Sequence, residues 1–590
     1  MLNQALEIFE KEYTQQGDNL ILGTYIPKDG TYVVVKAKAN EFIIADTIEI
    51  KLDKKTRTID RTQSKYMDFV CLADYYSKIT DINKSILPSS GKVIQSNNYL
   101  SFIIKKDSLT NGKLTNDIID KYYSFLEDPR LRYPKKTKAK SLELYEIIES
   151  KINEVDKERV DQIKNWIKEN LFEKFKDCTG KDYLKIFFCY SEEGYKTDYK
   201  NESDRYFIPN IYNSNDYNCK IKGVIHGLPN DNMGLNAKKP YLETKTRKTI
   251  IPYYLNQKEI MMQKKFFDYL MNQAVLGKVH IYMGQDGIKA LNYKEHLKTK
   301  FDGLFFRIQN GKEVEIHDSS IVTNFDPELR KKFEFQNILG IDDKYSKTSY
   351  ESFKTLEKLQ EIIDSVLFSR FLNSNYFTEA SDIKINDSTL KSNILVSRTA
   401  LFNWFYKGNS NNIWQLLNQV SLRSVKGSIE NGYNTKAIEQ FNLRMSLKEY
   451  FRGGKEMADI ILNLKENLKL KITQEPTSCI ENDREYFFAV GQLVSYLISR
   501  SKGKKKPLSL ANPFINAKKD KIIKEKLKGL YKKYNYDIED YNYRFKTMYA
   551  MVASYEIEDK IDEDMIIAGY LHSNLMYEKL ESKEIRGDED

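Results

Sequence analysis

The chain has 590 residues, of which 41% are hydrophobic and 30% are charged, and it carries a net charge of +10. A disordered chain would have too few apolar residues to form a core, so this composition indicates a folded protein of several domains. The five cysteines are scattered, and the five histidines form no HxH or HExxH spacing. These patterns argue against a disulfide framework, a structural zinc and a zinc-hydrolase site, and no cofactor is expected.

The N-terminal segment MLNQALEIFEKEY predicts an amphipathic helix over residues 2–13. A signal peptide would instead have a basic start followed by a continuous apolar run. No stretch approaches the roughly 18 consecutive apolar residues that a membrane-spanning helix requires. We therefore expect a cytoplasmic protein without a membrane partner.

Residues 1–114 form a predicted β-rich unit that follows the first helix. The Asp29-Gly30 pair is a typical hairpin turn and stands between the first two runs of strand-forming residues. The predicted strands are Leu20–Gly23, Tyr32–Val35, Phe42–Ile44 and Tyr99–Ile104.

Residues 115–180 are predicted to be helical, because apolar side chains recur there at a period near 3.6. A basic stretch, Arg130–Lys140, lies between two of these helices and is interrupted by Pro134. Residues 181–350 return to an α+β pattern, with strands at 184–190, 279–283 and 304–308 and a helix at 257–274.

Two details of the α+β segment are specific enough to test. Gly277 is placed to end the helix before it. Val279, Ile281 and Met283 alternate with His280 and Tyr282, which predicts a half-buried strand whose histidine and second tyrosine face outward.

Residues 351–590 are predicted to be entirely helical, beginning with an amphipathic helix from Phe353 to Leu367 and including a bundle over 445–590. Gly491 lies on an apolar helix face, which indicates closely packed neighbouring helices. The predicted fold class is α+β: a mixed β-rich and helical N-terminal portion followed by an all-α C-terminal bundle.

The segment 228–248 combines side-chain amides with cations and is broken by Pro229, Gly234 and Pro240, so it is predicted to be an exposed loop. Amides can hydrogen-bond to base edges, whereas lysine and arginine bind phosphates. Asn230 is a further amide of this loop. The candidate DNA-binding residues are Asn232, Asn236, Lys238, Lys239, Lys245, Arg247 and Lys248.

A second basic segment follows residue 500. Residues 501–546 hold 14 Lys or Arg against 5 Asp or Glu, and an acidic tail follows them. Within a predicted helix at 516–534, lysines recur at helical spacing opposite an apolar face, which favours contact with a nucleic-acid backbone without sequence readout. The candidate backbone-binding residues are Lys504, Lys505, Lys506, Lys521, Lys524, Lys528 and Lys532.

The chain resembles the large subunit of type I-B CRISPR surveillance complexes (Cascade), with a fused C-terminal domain like the small subunit of such complexes. The resemblance spans essentially the whole chain. It depends on the stretches NDNMGLNAKKPYLETKTRK with QKKFFDYL, EYFFAVGQLVSYLISRSK and AGYLHSNLMYEKL. Some related large subunits have a cysteine-rich zinc segment, which this chain lacks.

The resemblance implies a non-catalytic role in antiviral defence. Such a subunit binds CRISPR RNA and double-stranded target DNA, recognises the short flanking motif (PAM), supports R-loop formation and recruits a helicase-nuclease. Its other partners are the backbone, 5′-handle-binding and small subunits. A separate small subunit made by internal translation would begin here at Met445 or Met457.

Two alternatives remain at the level of sequence. Asp231, Glu243 and Lys245 match the D…ExK spacing of Mg²⁺-dependent nucleases, in which two carboxylates hold the metal. Genuine sites place ExK on a strand, whereas proline and glycine interrupt this segment. The second alternative is a general RNA-binding scaffold protein that uses only the C-terminal basic helix.

Overall fold

A computed structural model divides the chain into two compact units, one formed by residues 1–295 and 303–321 and the other by residues 296–302 and 322–590. The first contains strands and helices and the second is mainly helical, which confirms the predicted α+β class. The finer division into four segments stays a prediction. The described residues are 1–38, 41–80, 84–87, 92–230, 254–311, 313–342, 344–346, 348–453, 457–474, 478–502, 508–539 and 542–578.

Three helices of the first unit begin at a side-chain cap, supplied by Thr115, Asp156 and Asn256. The Asn256 side chain accepts a hydrogen bond from the Glu259 amide and the Glu259 side chain accepts one from the Asn256 amide, which is a capping box. Gly277 follows that helix with a φ of 77°, as predicted for its stop. The helices are α1 (Leu2–Gln16), α2 (Asn19–Leu22), α3 (Met67–Tyr76), α4 (Asn116–Glu127), α5 (Lys135–Ile152), α6 (Lys157–Lys174), α7 (Tyr195–Phe207) and α8 (Gln257–Val275).

The strands before residue 326 form three sheets, with orders β2-β1-β4-β3, β11-β10-β8-β9 and β5-β6-β7. In the first sheet β1 and β4 pair in parallel at the centre and are almost entirely buried, which explains their continuous apolar runs. The strands are β1 (Gly30–Lys38), β2 (Glu41–Ile50), β3 (Ser101–Lys105), β4 (Tyr183–Cys189), β5 (Cys219–Ile221), β6 (Val224–Gly227), β7 (Leu255–Asn256), β8 (Lys278–Gly284), β9 (Gly287–Asn292), β10 (Phe301–Asn310) and β11 (Val314–Phe325).

The predicted strand at Leu20–Gly23 is wrong, because these residues belong to α2 and the turn after it. Asp29-Gly30 is therefore not a hairpin turn. Gly30 instead begins β1 beside Tyr183 of β4, and a Cβ at position 30 would overlap the Tyr183 carbonyl oxygen. The glycine allows the parallel strand to approach.

The predicted outward orientation of His280 and Tyr282 is also wrong, since both side chains are buried. β8 lies between β9 and β10, and the rings of His280 and Tyr282 pack against Phe305 with centroids 5.9 and 4.9 Å apart. Alternation indicates which residues share a face, but it does not show whether the second face is covered.

The described part of the second unit consists of helices, a two-stranded antiparallel ribbon and the short ends of β10 and β11. The expectation of helix throughout the region after residue 350 fails at Phe353, which lies on the second strand of this ribbon and packs against Phe333 at 5.3 Å. The elements are β12 (Glu328–Glu334), β13 (Ser352–Thr355), α9 (Leu356–Phe368), α10 (Ser388–Lys407), α11 (Ile413–Glu430), α12 (Asn434–Arg452), α13 (Met457–Gln474), α14 (Asp483–Ser499), α15 (Asn512–Ile515), α16 (Asp520–Tyr534), α17 (Tyr543–Ser554) and α18 (Glu563–Leu571).

The core of the C-terminal bundle includes residues that precede position 445, among them Ile429 and Phe441. A buried ion pair links the same regions, because Arg444 Nε lies 2.8 Å and Lys448 Nζ 3.0 Å from the Asp564 carboxylate. Burial alone would raise the pKa of Asp564, but the two cations outweigh it and hold that pKa below its usual value. α12 is therefore part of the bundle.

The crossing of α14 and α18 depends on two glycines. A Cβ at Gly491 would overlap the Ile566 carbonyl oxygen and lie 2.5 Å from the Tyr570 nitrogen. A Cβ at Gly569 would overlap the Phe488 carbonyl oxygen. The close helix packing that Gly491 predicted is thus confirmed.

We expect Gly491→Ala to lower the free energy of unfolding by about 1–3 kcal/mol, because the added methyl group meets backbone atoms that cannot move aside. Urea denaturation of the full chain measures the change. Gly529→Ala is the matched control, since Gly529 lies in α16 with open space around its Cβ position. That change should stabilise the protein by up to about 1 kcal/mol. Equal effects at both positions would contradict the role of the crossing.

Candidate nucleic-acid interface

One face of α16 anchors this helix in the second unit. Ile523, Leu527, Leu530 and Tyr534 are buried in the bundle core, and their spacing of three or four residues places them on one side. α14 contacts α16 directly. The orientation of α16 about its axis is therefore fixed by apolar burial.

The opposite face of α16 presents lysines to solvent. Lys521, Lys528 and Lys532 are exposed, and at 100° per residue they fall within about 40° of one another around the axis. Within the described residues no carboxylate forms an ion pair with any of the three. We call them the α16 lysine face. It spans about 16 Å along the helix, at 1.5 Å per residue.

Lys524 does not belong to this face, which corrects one member of the predicted set. Its ammonium lies 3.1 Å from Asp520 and donates a hydrogen bond to the Tyr555 carbonyl, and the side chain is 28% exposed. Lys524 lies three residues after Lys521, which corresponds to a rotation of −60° about the helix axis. This rotation turns its side chain toward the segment that contains Tyr555. Glu525 lies on the exposed side instead and adds one negative charge there.

Two exposed tyrosines beyond the end of α16 were not among the predicted site residues. Tyr536 is 60% exposed and Tyr543 is 74% exposed. Lys502 Nζ lies 5.2 Å from the centre of the Tyr536 ring and 3.0 Å from Asp537. Exposed aromatic rings beside cations can stack on unpaired bases. The tyrosine-rich run that follows the lysines could have indicated them.

The 228–248 region lies between two paired strands, because Gly227 of β6 pairs with Leu255 of β7. Its first residues are buried, contrary to the exposed loop expected there. Asn230 is fully buried, with its amide group donating to the Asn210 carbonyl at 2.8 Å, so it is not available to a base. The candidates Asn232, Asn236, Lys238, Lys239, Lys245, Arg247 and Lys248 lie outside the described residues.

The same holds for Lys504, Lys505 and Lys506, and for Asp231 and Glu243 of the nuclease pattern. Their roles stay predictions. Among the described residues there is no group of three or more His, Cys, Asp or Glu side chains that could hold a metal ion. No helix in the described part of the chain has the length and apolar character needed to cross a membrane.

Comparison with known proteins found no matching family model, no matching curated protein and no matching solved structure.

We expect replacement of Lys521, Lys528 and Lys532 by Gln to weaken DNA binding about equally for all sequences. The slope of log affinity against log salt should fall by about 2.7 for duplex DNA, since each lost phosphate contact removes about 0.9. Fluorescence anisotropy at several salt concentrations measures this slope.

Two changes on the same helix serve as controls. Lys524→Gln should leave the slope unchanged, because this ammonium already binds Asp520 and the Tyr555 carbonyl. Glu525→Gln should steepen it, because a like-charged side chain is removed from the phosphate path. A slope that does not respond to the triple change would mean that the α16 lysine face is only solvated.

Proposed function

We propose that this chain is the non-catalytic large subunit of a type I-B RNA-guided DNA surveillance complex. In that role it would bind CRISPR RNA and double-stranded target DNA, read the PAM, support R-loop formation and recruit the helicase-nuclease. The resemblance described above supplies this identity. The α16 lysine face is the single structural observation that carries the nucleic-acid part of the proposal.

The reason is that this face combines anchoring with available charge. Apolar burial fixes the orientation of α16, while Lys521, Lys528 and Lys532 form no ion pair with a carboxylate of the described residues. Such a row can follow a phosphate backbone and releases counterions on binding, and it contains no group that reads a base. Sequence-dependent recognition would therefore belong to another part of the chain.

The most direct experiment is to isolate the protein from its native cells and sequence the RNA bound to it. We expect short RNAs that share a constant 5′ handle and differ in the following guide sequence. Incubation of the purified chain with labelled DNA and Mg²⁺ should leave the DNA intact. Metal-dependent cleavage that disappears in Glu243→Ala would contradict the proposal and favour the nuclease alternative.

The segment 230–248 is the proposed site of PAM readout. Removing the amide of Asn232 or Asn236 should cost about 1–3 kcal/mol of binding free energy on the preferred flanking motif, and much less on a wrong motif. Lys238→Ala should weaken both targets alike, because phosphates are the same beside every base. Binding of the assembled complex to matched targets with either motif, at fixed salt, measures the difference. Equal losses for the asparagine variants would assign PAM readout to another part of the chain.

The structure also bears on where a separate small subunit would begin. Met445 is buried in the middle of α12, whereas Met457 is the first residue of α13. A product that starts at Met457 would consist of whole helices, so we favour this start. It would lack Arg444 and Lys448, and Asp564 would then need another cation or a proton.

A further inference from the structure

A basic cavity of about 690 Å³ lies in the first unit, and none of the candidate nucleic-acid-binding residues lines it. It is lined by the start of α5, by the segment 84–87 and by the segment 209–216. Its walls include Arg132, Lys138 and Lys140 from the basic stretch that the sequence placed between two helices. Its volume falls within the roughly 300–1,000 Å³ that is usual for ligand sites.

Three of the four cations on its walls are these residues of the basic stretch, Arg132, Lys138 and Lys140, and they are held by backbone carbonyl groups. Lys138 Nζ donates to the Arg132 carbonyl at 3.1 Å, and Lys140 Nζ donates to the carbonyls of Asp216 at 2.7 Å and Asn218 at 3.2 Å. The Arg132 guanidinium donates to the Ser85 carbonyl at 3.4 Å. It also lies 5.6 Å from the centre of the Tyr133 ring and 5.5 Å from that of the Tyr206 ring.

A carbonyl group orients a cation without cancelling its charge. Within the described residues no carboxylate forms an ion pair with Arg132, Lys138 or Lys140. Asp216 is the carboxylate on the cavity wall, and its Oδ2 accepts a hydrogen bond from Ser214 at 3.2 Å. The cavity therefore has an excess of fixed positive charge, which is what a phosphate group requires.

The local backbone and the titration of Lys138 agree with this description. Lys138 has φ −136° and ψ 38°, values that depart from the helix on either side of it. Burial first, and then the charge of Arg132, lower the pKa of the Lys138 ammonium. A bound anion would offset the repulsion between the two cations.

A second lysine-lined cavity, of about 610 Å³, shows by contrast why this one is favoured. Three of its five lysines already have carboxylate partners. Lys258 lies 3.4 Å from Glu10, Lys264 2.5 Å from Asp268 and Lys265 3.1 Å from Asp18. Its charge is largely neutralised within the protein.

The basic cavity also offers an apolar surface. Leu131 is 54% exposed at the cavity and Phe125 is partly exposed beside it. A free phosphate ion would leave this surface uncovered. A nucleotide would use both parts, with its phosphate on the cations and its base against the apolar side chains. A base inside a duplex is paired and stacked and could not enter.

We propose that this cavity binds an unpaired nucleotide of a single-stranded nucleic acid, with the adjacent phosphates on Arg132, Lys138 and Lys140. The inference rests on the proposed function for the class of polymer, whereas the site itself follows from the cavity. The base would lie against Leu131 and Phe125. RNA and DNA strands share this chemistry, so both belong in the test.

The test compares Lys138→Gln/Lys140→Gln with Lys135→Gln/Lys136→Gln in the full chain. All four lysines are exposed, and the control pair makes the same charge change in the first turn of the same helix but outside the cavity lining. Anisotropy is measured with a short single-stranded RNA, the same sequence as DNA, and the DNA duplex. We expect the cavity pair to lower single-strand affinity on the order of tenfold near 0.1 M salt and to reduce the salt slope by about 1.4. The control pair should have little effect.

A second measurement uses the wild-type chain and so does not depend on how the variants fold. Lysine acetylation is followed by mass spectrometry with and without each single strand. Lys138 and Lys140 should be protected, and Lys135 and Lys136 should not. The strand that protects more strongly identifies the natural class.

The outcomes separate this inference from the proposed function. Equal affinity losses in the two pairs, or equal labelling with and without a strand, would overturn the cavity proposal. If the α16 changes alone reduce binding, the cavity proposal fails and the proposed function stands. If the chain binds no nucleic acid at all, both fail.

Discussion

The second unit depends on the burial of α14 on nearly every side. The residues from Glu485 to Ile498 are buried at all but one position, so no face of this helix is exposed to solvent. A helix that is apolar all round must be enclosed by others. α13, α16, α17 and α18 all contact it. The two glycines, Gly491 and Gly569, then allow α18 to approach at backbone distance.

This enclosure determines what α16 presents to solvent. Because its four apolar residues are buried in the core around α14, the lysines on the opposite side of α16 must point to solvent. No further interaction is needed to aim them. Nucleic-acid binding at this surface would thus depend on how the interior packs. A change at the α14–α18 crossing would therefore also affect α16.

The partners of each cation decide whether it can bind a phosphate. Lys524 contacts Asp520, and three lysines of the smaller cavity contact carboxylates, so their charges are balanced inside the protein. Lys138 and Lys140 contact carbonyl oxygens, which fix their direction and leave the charge. With 94 cations and 84 anions in the chain, composition gives only a small excess, and these pairings decide where that excess lies.

Periodicity in the sequence determined most of the elements correctly. The helices of 115–177, the helix ended by Gly277, the strands near 32–35, 101–104 and 184–190 and the helical C-terminal region all follow from local patterns of apolar residues. The predicted strand at Leu20–Gly23 was wrong because a short apolar run fits a strand or a helical turn equally well. Tertiary packing determines which of the two forms. The predicted outward orientation of His280 and Tyr282 was wrong because alternation does not reveal whether a sheet is covered on both faces.

For the candidate site, the sequence by itself determined that a lysine-bearing helix with an apolar face lies after residue 516 and that Arg130–Lys140 is strongly basic. Only the tertiary structure decided that Lys524 turns inward, that Asn230 is buried and that the cations at 132, 138 and 140 converge on one cavity. The physical reason is that spacing along a helix is a local property of the backbone. The partner of a charged side chain, by contrast, comes from residues such as Tyr555 or Asp216 that are distant in the chain.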